Sequence, residues 1–298
     1  MNPSCRASFL LAAFACVIFG TGSDFKTGVE RFRAEHKANL LADDGPLTLA
    51  GRFPLKPGKA TFGAAAENDI VLPVAGLPSR AGSVEVAGDA ATVRLDKSVC
   101  AAVNGKPVTE FVFRKPPPDQ RPVRIDLGPC WIEIRWRKEE PQLLLRDKHY
   151  ALREHGHEAN WYPPDEQYRV AAAFVPFQRS QTVTFADSNG SSRDWQSPGL
   201  LRFRIRGRDV TLEPITEGSG LFIVFRDATA GGETYGAGRF LDAPAPRHGK
   251  VVLDFNRAYN PLCAYNPLHI CPRPPRQNIL DLPIPAGEKV YDGRHHER

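Results

Sequence analysis

Beyond Leu47 the chain is a succession of short apolar runs, each closed by glycine, proline, asparagine or aspartate. The first half contains LTLAGRF, ATFG, DIVL, GSVEV, ATVRL, AAV, VTEFVF, VRIDL and WIEIRW, and the second YRVAAAFVPF, TVTF, LLRFRIR, DVTLEPI, LFIVFRD and KVVLDF. Runs this short, several alternating with period two, read as strands, because helices need longer stretches with a 3.6-residue period. The 27 prolines and 25 glycines follow no repeat, so they punctuate strands. WIEIRW alternates strictly and is expected to be one half-buried strand. Asn104-Gly105 is a hairpin signal, since both residues tolerate positive φ, and Arg206-Gly207 is expected to turn LLRFRIR back on itself. The chain is therefore all-β, and its 298 residues suit two parts at roughly 100–200 residues per domain.

One helix precedes the strands. Phe25, Val29, Phe32, His36 and Leu40 recur at intervals of three and four, while Lys26, Glu30, Arg31, Arg33, Glu35 and Lys37 occupy the other face. Asp43-Asp44-Gly45-Pro46 stops it. The expected divisions are a signal peptide at 1–22, a helix at 23–44, a β-sandwich of about eight to ten strands at 45–146, a connector at 147–164, a second β domain at 165–293 and a tail at 294–298.

The signal-peptide reading rests on Arg6 followed by the apolar stretch FLLAAFACVIFG and the small residues Thr21, Gly22 and Ser23. That stretch is shorter than the roughly 20 apolar residues of a membrane-spanning helix. Cleavage near Gly22 or Ser23 competes with cleavage before Cys16, which would leave a cysteine for lipid attachment; a retained anchor is the third option. The expected location is periplasmic or extracellular, with membrane contact only through the leader or a lipidated Cys16. Loss of residues 1–22 removes one basic residue, Arg6, from 39 and none of the 34 acids. The mild positive balance that remains argues against a nucleic-acid partner. Outside the leader stand Cys100, Cys130, Cys263 and Cys271, which allow three pairings in an oxidising compartment. Cys263 with Cys271 is the local pairing, closing a short Pro-rich loop for about 2–3 kcal/mol; Cys100 with Cys130 is the remainder.

TFGAAAENDIVLP, PSRAG and AAVNGKPV together resemble the forkhead-associated (FHA) domain, a β-sandwich that binds phosphothreonine. Gly63, Asn68, Asp69, Ser79, Arg80, Asn104 and Gly105 match that family's pattern. Ala64 stands where the resemblance requires a phosphate-contacting arginine, so it implies the fold without that charge-assisted contact.

The densest chemistry lies in ETYGAGRFLDAPAPRHGKVVLDFNRAYNPLCAYNPLHICPRPP, from Glu233 to Pro275. YGAGRF and DFNRAYNP closely resemble the signature of a bacterial family known as domain of unknown function 1684, which supplies relatives but no activity. Alternation on KVVLDF sends Asp254 and Asn256 to one face at the strand end, where Arg257, Tyr259 and Asn260 follow. If the preceding segment pairs with this strand, Glu233, Tyr235 and Arg239 come alongside. Arginine and tyrosine donors beside a carboxylate suit a polar or anionic small molecule or a saccharide. Three readings stay open: a ligand-binding protein using this cluster, a hydrolase with Asp254 or Glu233 as general base, and a structural or protein-partner role with every acid paired to Arg239 or Arg257.

Weaker candidates are Cys263 as nucleophile with His248 or His269 as base, and the segment His149, His155, His157 and Glu158. The alternating Arg202, Arg204, Arg206 and Arg208 would form a basic sheet face. The sequence has no zinc-type spacing, phosphate loop or dinucleotide loop, and no metal or cofactor is expected. Mass spectrometry of the mature protein is expected to place its N-terminus near Gly22 or Ser23; a lipid-modified Cys16 at the N-terminus would establish the competing cleavage.

Overall fold

The structure is a computed structural model and describes residues 22–115, 123–150 and 159–291. The leader with Cys16, the trio His155, His157 and Glu158, and the 294–298 tail lie outside the described residues. Among the described residues no helix is long and apolar enough to cross a membrane.

Helix α1 spans Gly22–Leu41. Phe25, Val29 and Leu40 are buried and Phe32 and His36 half-buried, as the three-and-four spacing requires, while Lys26, Glu30, Arg31, Glu35 and Lys37 are exposed. The chain turns directly beneath the helix end. A Cβ at Gly45 would lie 2.7 Å from the Asn39 carbonyl oxygen, so the turn requires glycine.

Eleven strands follow: β1 (Leu49–Pro54), β2 (Gly58–Gly63), β3 (Ile70–Val71), β4 (Gly82–Ala87), β5 (Ala90–Leu95), β6 (Ala102–Val103), β7 (Lys106–Pro107), β8 (Glu110–Arg114), β9 (Arg124–Leu127), β10 (Cys130–Arg137) and β11 (Glu140–Asp147). They form two sheets, ordered β1-β11-β10-β9-β6-β7 and β3-β2-β4-β5-β8. Phe62, Val84, Val93, Ile125, Ile132, Leu143 and Leu145 fill the space between them, each fully buried aliphatic contributing about 1.5–3 kcal/mol. Asn104 and Gly105 have φ of 50° and 76° and form the tight β6–β7 turn. The loops after β2 and before β4 meet: the Ala65 amide donates to the Ser79 carbonyl at 3.0 Å and Asn68 Nδ2 to the same oxygen at 2.7 Å.

The second β unit contains β12 (Arg169–Ala186), β13 (Ser192–Ile205), β14 (Arg208–Leu212), β15 (Ile215–Glu217), β16 (Gly220–Phe225), β17 (Arg239–Ala243) and β18 (Lys250–Asp254). One sheet is ordered β14-β13-β12-β18 and the other β15-β16-β17. RVAAAFVPF and TVTF belong to one strand, β12, which absorbs its proline at a register shift between Pro176 and Gln181. Arg206 and Gly207 form the expected turn at φ of 49° and 77°. Arg202, Arg204, Arg206 and Arg208 are exposed opposite buried Leu201, Phe203 and Ile205.

Two expectations need correction. WIEIRW is not half-buried: Ile132 and Ile134 enter the sandwich core, and Trp131 and Glu133 on the other face are buried too. The second unit covers that face, tied across by Arg52 Nε to the Leu268 carbonyl at 2.7 Å and Asn266 Nδ2 to the Leu49 carbonyl at 2.8 Å. Nor does the segment before β18 pair with it. β17 pairs with β16, setting Arg239 opposite Phe225, while β18 pairs with β12, setting Asp254 opposite Arg169. Beyond β18 the described chain runs to residue 291 without a strand, through short 3-10 turns and isolated bridges such as Phe240 with Tyr259 and Trp161 with Glu288.

Candidate functional site

A long irregular segment has no ladder to satisfy its backbone groups, and buried side chains do so instead. Arg239 is 1 % exposed: its Nη2 donates to Asp227 Oδ2 at 2.6 Å and the Ile284 carbonyl at 3.0 Å, and its Nη1 to the Ala286 carbonyl. Asp227 Oδ1 in turn accepts from the Thr229 amide and hydroxyl and the Ile284 amide. Asn278 accepts from the Glu213 amide and donates to the Glu213 and Val224 carbonyls.

The remaining signature residues fall into separate groups. Asp254 Oδ1 accepts from the Asn256 amide and side chain, and its Oδ2 lies 3.5 Å from Arg257 Nε. Asn256 also closes a two-bond pair with the Asp165 backbone. The Arg257 guanidinium lies over the Phe32 ring of α1. Tyr259 donates to Asp242 Oδ2 at 3.0 Å, and Asn260 donates its amide to Glu288 and Nδ2 to the Lys289 carbonyl. Glu233 sits on an exposed turn and accepts the Val290 amide through its carbonyl. Burial, and then the Glu233 carboxylate beside it, raise the Tyr162 hydroxyl pKa. Tyr235 belongs with the cysteines.

The structure assembles a centre that the sequence reading did not, because its members come from four distant segments. Glu288 is fully buried: Oε1 accepts the Tyr265 hydroxyl, Oε2 accepts the Asn260 amide at 2.8 Å, and His36 Nε2 lies 3.9 Å from Oε2. Gly287 fixes this placement, with φ of 82° and a Cα so close to Phe255 and Ala258 that a Cβ would lie 2.6 Å from the Ala258 carbonyl oxygen. Burial pushes the Glu288 carboxyl up to about 7, with the Tyr265 and Asn260 hydrogen bonds resisting. Burial also lowers His36 to about 4, so the imidazole is neutral at pH 7 and the two do not form an ion pair. The His36 ring is walled by Phe32, Trp161 and Tyr259, at centroid distances of 6.1, 6.0 and 5.0 Å, and its Nε2 is buried without a partner. On its outer side His36 helps line a cavity of about 360 Å³ with Arg33, Lys37, Leu40, Asn160 and Trp161. At 3.9 Å the two groups are close but not hydrogen-bonded to each other. Two sequence signals point here: His36 on the apolar face of α1, and a glutamate that directly follows the apolar run LPIPAG.

The proposed Cys263–Cys271 disulfide is absent. Both are free thiols, as are Cys100 and Cys130. The Cys263 amide donates to Cys271 Sγ at 3.3 Å, so the sulfurs meet through hydrogen bonds within a loop already held by the side chains of Asn266 and His269. The Cys271 thiol, with Tyr235 and Ser188, holds the Cys263 thiol below its usual range against the effect of burial. His269, proposed as a base for Cys263, instead bonds the Pro46 carbonyl. Among the described residues no cluster of metal-ligating side chains occurs.

Fold and site together define an all-β protein of two units, in which a buried polar frame in the second presents Glu288 to His36 of the N-terminal helix. Residues 157–289 match the family described as a protein of unknown function (DUF1684), and this part of the chain belongs to that family. The solution structure of an uncharacterised protein from locus rrnAC0354 of Haloarcula marismortui is 30% identical, covering 48% of this chain and 81% of that one at a TM-score of 0.41. An FHA domain of FhaA, solved with the intracellular domain of Rv3910, is 19% identical over 31% of this chain and 84% of its own, at a TM-score of 0.21. The Rv0020c FHA structure is 20% identical over 31% and 76%, at 0.22. No curated protein matches the chain.

Arg239→Met strands a buried carboxylate at Asp227 and is expected to cost about 3–5 kcal/mol; urea unfolding should show this, with much of it recovered in Arg239→Met/Asp227→Leu. Glu288 has a folded pKa raised above its unfolded value near 4.5, so its contribution is present at low pH and lost as pH rises through about 7. Glu288→Gln removes that loss. Between pH 5 and pH 8 the stability of this variant relative to wild type is expected to improve; the same difference at both pH values would contradict the assignment.

Proposed function

We propose that this protein binds a small polar ligand bearing an acidic group in the cavity between α1 and the 159–161 segment. The observation that carries this reading is His36, a neutral imidazole that lines the cavity while its buried, unpartnered Nε2 faces Glu288. Arg33 and Lys37 supply positive charge at the mouth, and Trp161, with the Arg33 guanidinium 4.8 Å over its ring, supplies a flat apolar wall. Cavities of this kind, largely apolar with a few convergent polar groups, are the usual form of small-molecule sites. Within this reading Arg257, Tyr259 and Asn260 support the wall and floor, while Arg239 holds the loop that carries Glu288. Export, for which the N-terminal leader is the support, places the ligand in the periplasm or outside the cell.

A second reading is an acid–base enzyme of the same compartment. Glu288 favours it, being a buried carboxyl with no arginine or lysine at ion-pair distance among the described residues and a pKa near 7. Asp254 and Glu233 are weaker candidates for the base, one paired with Arg257 and the other on an exposed turn.

Thermal unfolding of the full chain with a panel of sugar acids, small carboxylates and neutral saccharides tests both. A ligand at 100 times its dissociation constant adds about 2.7 kcal/mol. The expected result is a Tm increase with an acidic compound that disappears in His36→Ala and Trp161→Ala. No shift across the panel, or a shift that both variants retain, would overturn the assignment. NMR of the stabilising compound after incubation separates the readings: conversion that stops in Glu288→Gln makes the protein an enzyme, and an unchanged compound makes it a binding protein.

A further inference from the structure

A second cavity lies where the outer face of the N-terminal sheet meets the C-terminal unit. Its basic character follows from strand alternation. On β10, Glu133, Arg135 and Arg137 share the face turned away from the sandwich core, and cross-strand register sets Leu144 of β11 beside Glu133 and Gln142 beside Arg135. Arg52 of β1 is opposite Leu144. The covering unit adds Arg193 and His269, and the enclosed space is about 420 Å³.

Six cations line this cleft: Arg52, Arg135, Arg137, Lys138, Arg146 and Arg193. Two carboxylates serve them. Glu133 takes Arg135 and Arg146, and Asp187 takes Arg137 and Arg193. Arg52 has no carboxylate partner among the described residues; its Nε and Nη1 donate to the Leu268 carbonyl and Gln142 Oε1, leaving Nη2 without an acceptor. Arg135 makes a single bond, from Nη2 to Glu133, and leaves Nε and Nη1 unused. Burial, then the neighbouring Arg137, Arg146 and Arg135, lowers the Arg52 guanidinium pKa, the mark of positive charge gathered without enough counter-charge. Gathering like charges in a partly buried site costs free energy that an incoming anion would recover. Planar guanidinium forks with free N–H groups match phosphate oxygens in geometry and charge.

We propose that this cleft is an anion site for a dianionic phosphate-type group. It is separate from the His36 cavity, which shares none of its lining residues, and from the loops that resemble an FHA domain. Arg52 and Arg135 supply the free donors, and Lys138 stands exposed at the rim. Leu262 and Ile270 give the cleft an apolar side against which the body of an organic phosphate would rest.

The test is calorimetric titration of the full chain with inorganic phosphate, pyrophosphate and phenyl phosphate, on wild type and on Arg52→Gln, Arg135→Gln and Arg208→Gln. Arg208, exposed on another hairpin and paired with Asp281, is the control. Pyrophosphate is expected to bind wild type and the control equally, and to weaken about ten-fold or more in each cleft variant. Phenyl phosphate binding more tightly than inorganic phosphate assigns the site to a phosphorylated organic molecule; equal affinities assign it to the free anion. If Arg52→Gln does not fold, Arg135→Gln and Lys138→Ala, both altered at exposed positions, carry the comparison. Absence of binding by all three anions at millimolar concentration, or equal affinity in wild type and cleft variants, would overturn the proposal.

Discussion

Everything beyond β18 depends on one constraint: a buried, strandless chain must still pair its backbone N–H and C=O groups. Arg239 meets it by reaching two carbonyls of the 284–286 loop while neutralised by Asp227. Asn256, Asn266 and Asn278 meet it with side-chain amides that donate and accept at once, and Asn260 by donating its Nδ2 to the Lys289 carbonyl. The polar density from Glu233 to Pro275 is in large part the internal wiring of this loop system. Its functional consequence is indirect: the wiring holds Glu288 in a dry setting where its carboxyl titrates near neutrality.

The same economy joins the two units. The outer face of the N-terminal sheet carries arginines and a glutamate that, in an isolated sandwich, would be solvated. Covered by the C-terminal unit, they become a partly enclosed charge cluster with two carboxylates to six cations among the described residues. The His36 cavity is also composite, since α1 and the Trp161 segment each contribute one wall, with Glu288 behind the His36 ring. Both cavities thus form where segments distant in sequence are docked together.

Local pattern proved a sound guide wherever a residue's fate is set by its neighbours in the chain. The helix face of Phe25, Val29 and Leu40, the turns at Asn104-Gly105 and Arg206-Gly207, and the alternating arginines of β13 all follow from periodicity and backbone sterics. It was misleading where another layer intervened. WIEIRW alternates like an edge of solvent and protein, yet both of its faces are covered. The cysteines near each other in sequence meet in space but are held as hydrogen-bonded thiols.

The all-β class, the amphipathic helix and the turns are legible along the chain, because each is written in local spacing and steric preference; YGAGRF and DFNRAYNP add a family resemblance. Tertiary structure alone decided that Arg239 faces Asp227 and not Asp254, that His36 meets Glu288 across the chain, and that six cations share one cleft. Those are long-range juxtapositions. Their chemistry arises from burial and from charges brought within a few ångströms, and no window along the sequence contains that information.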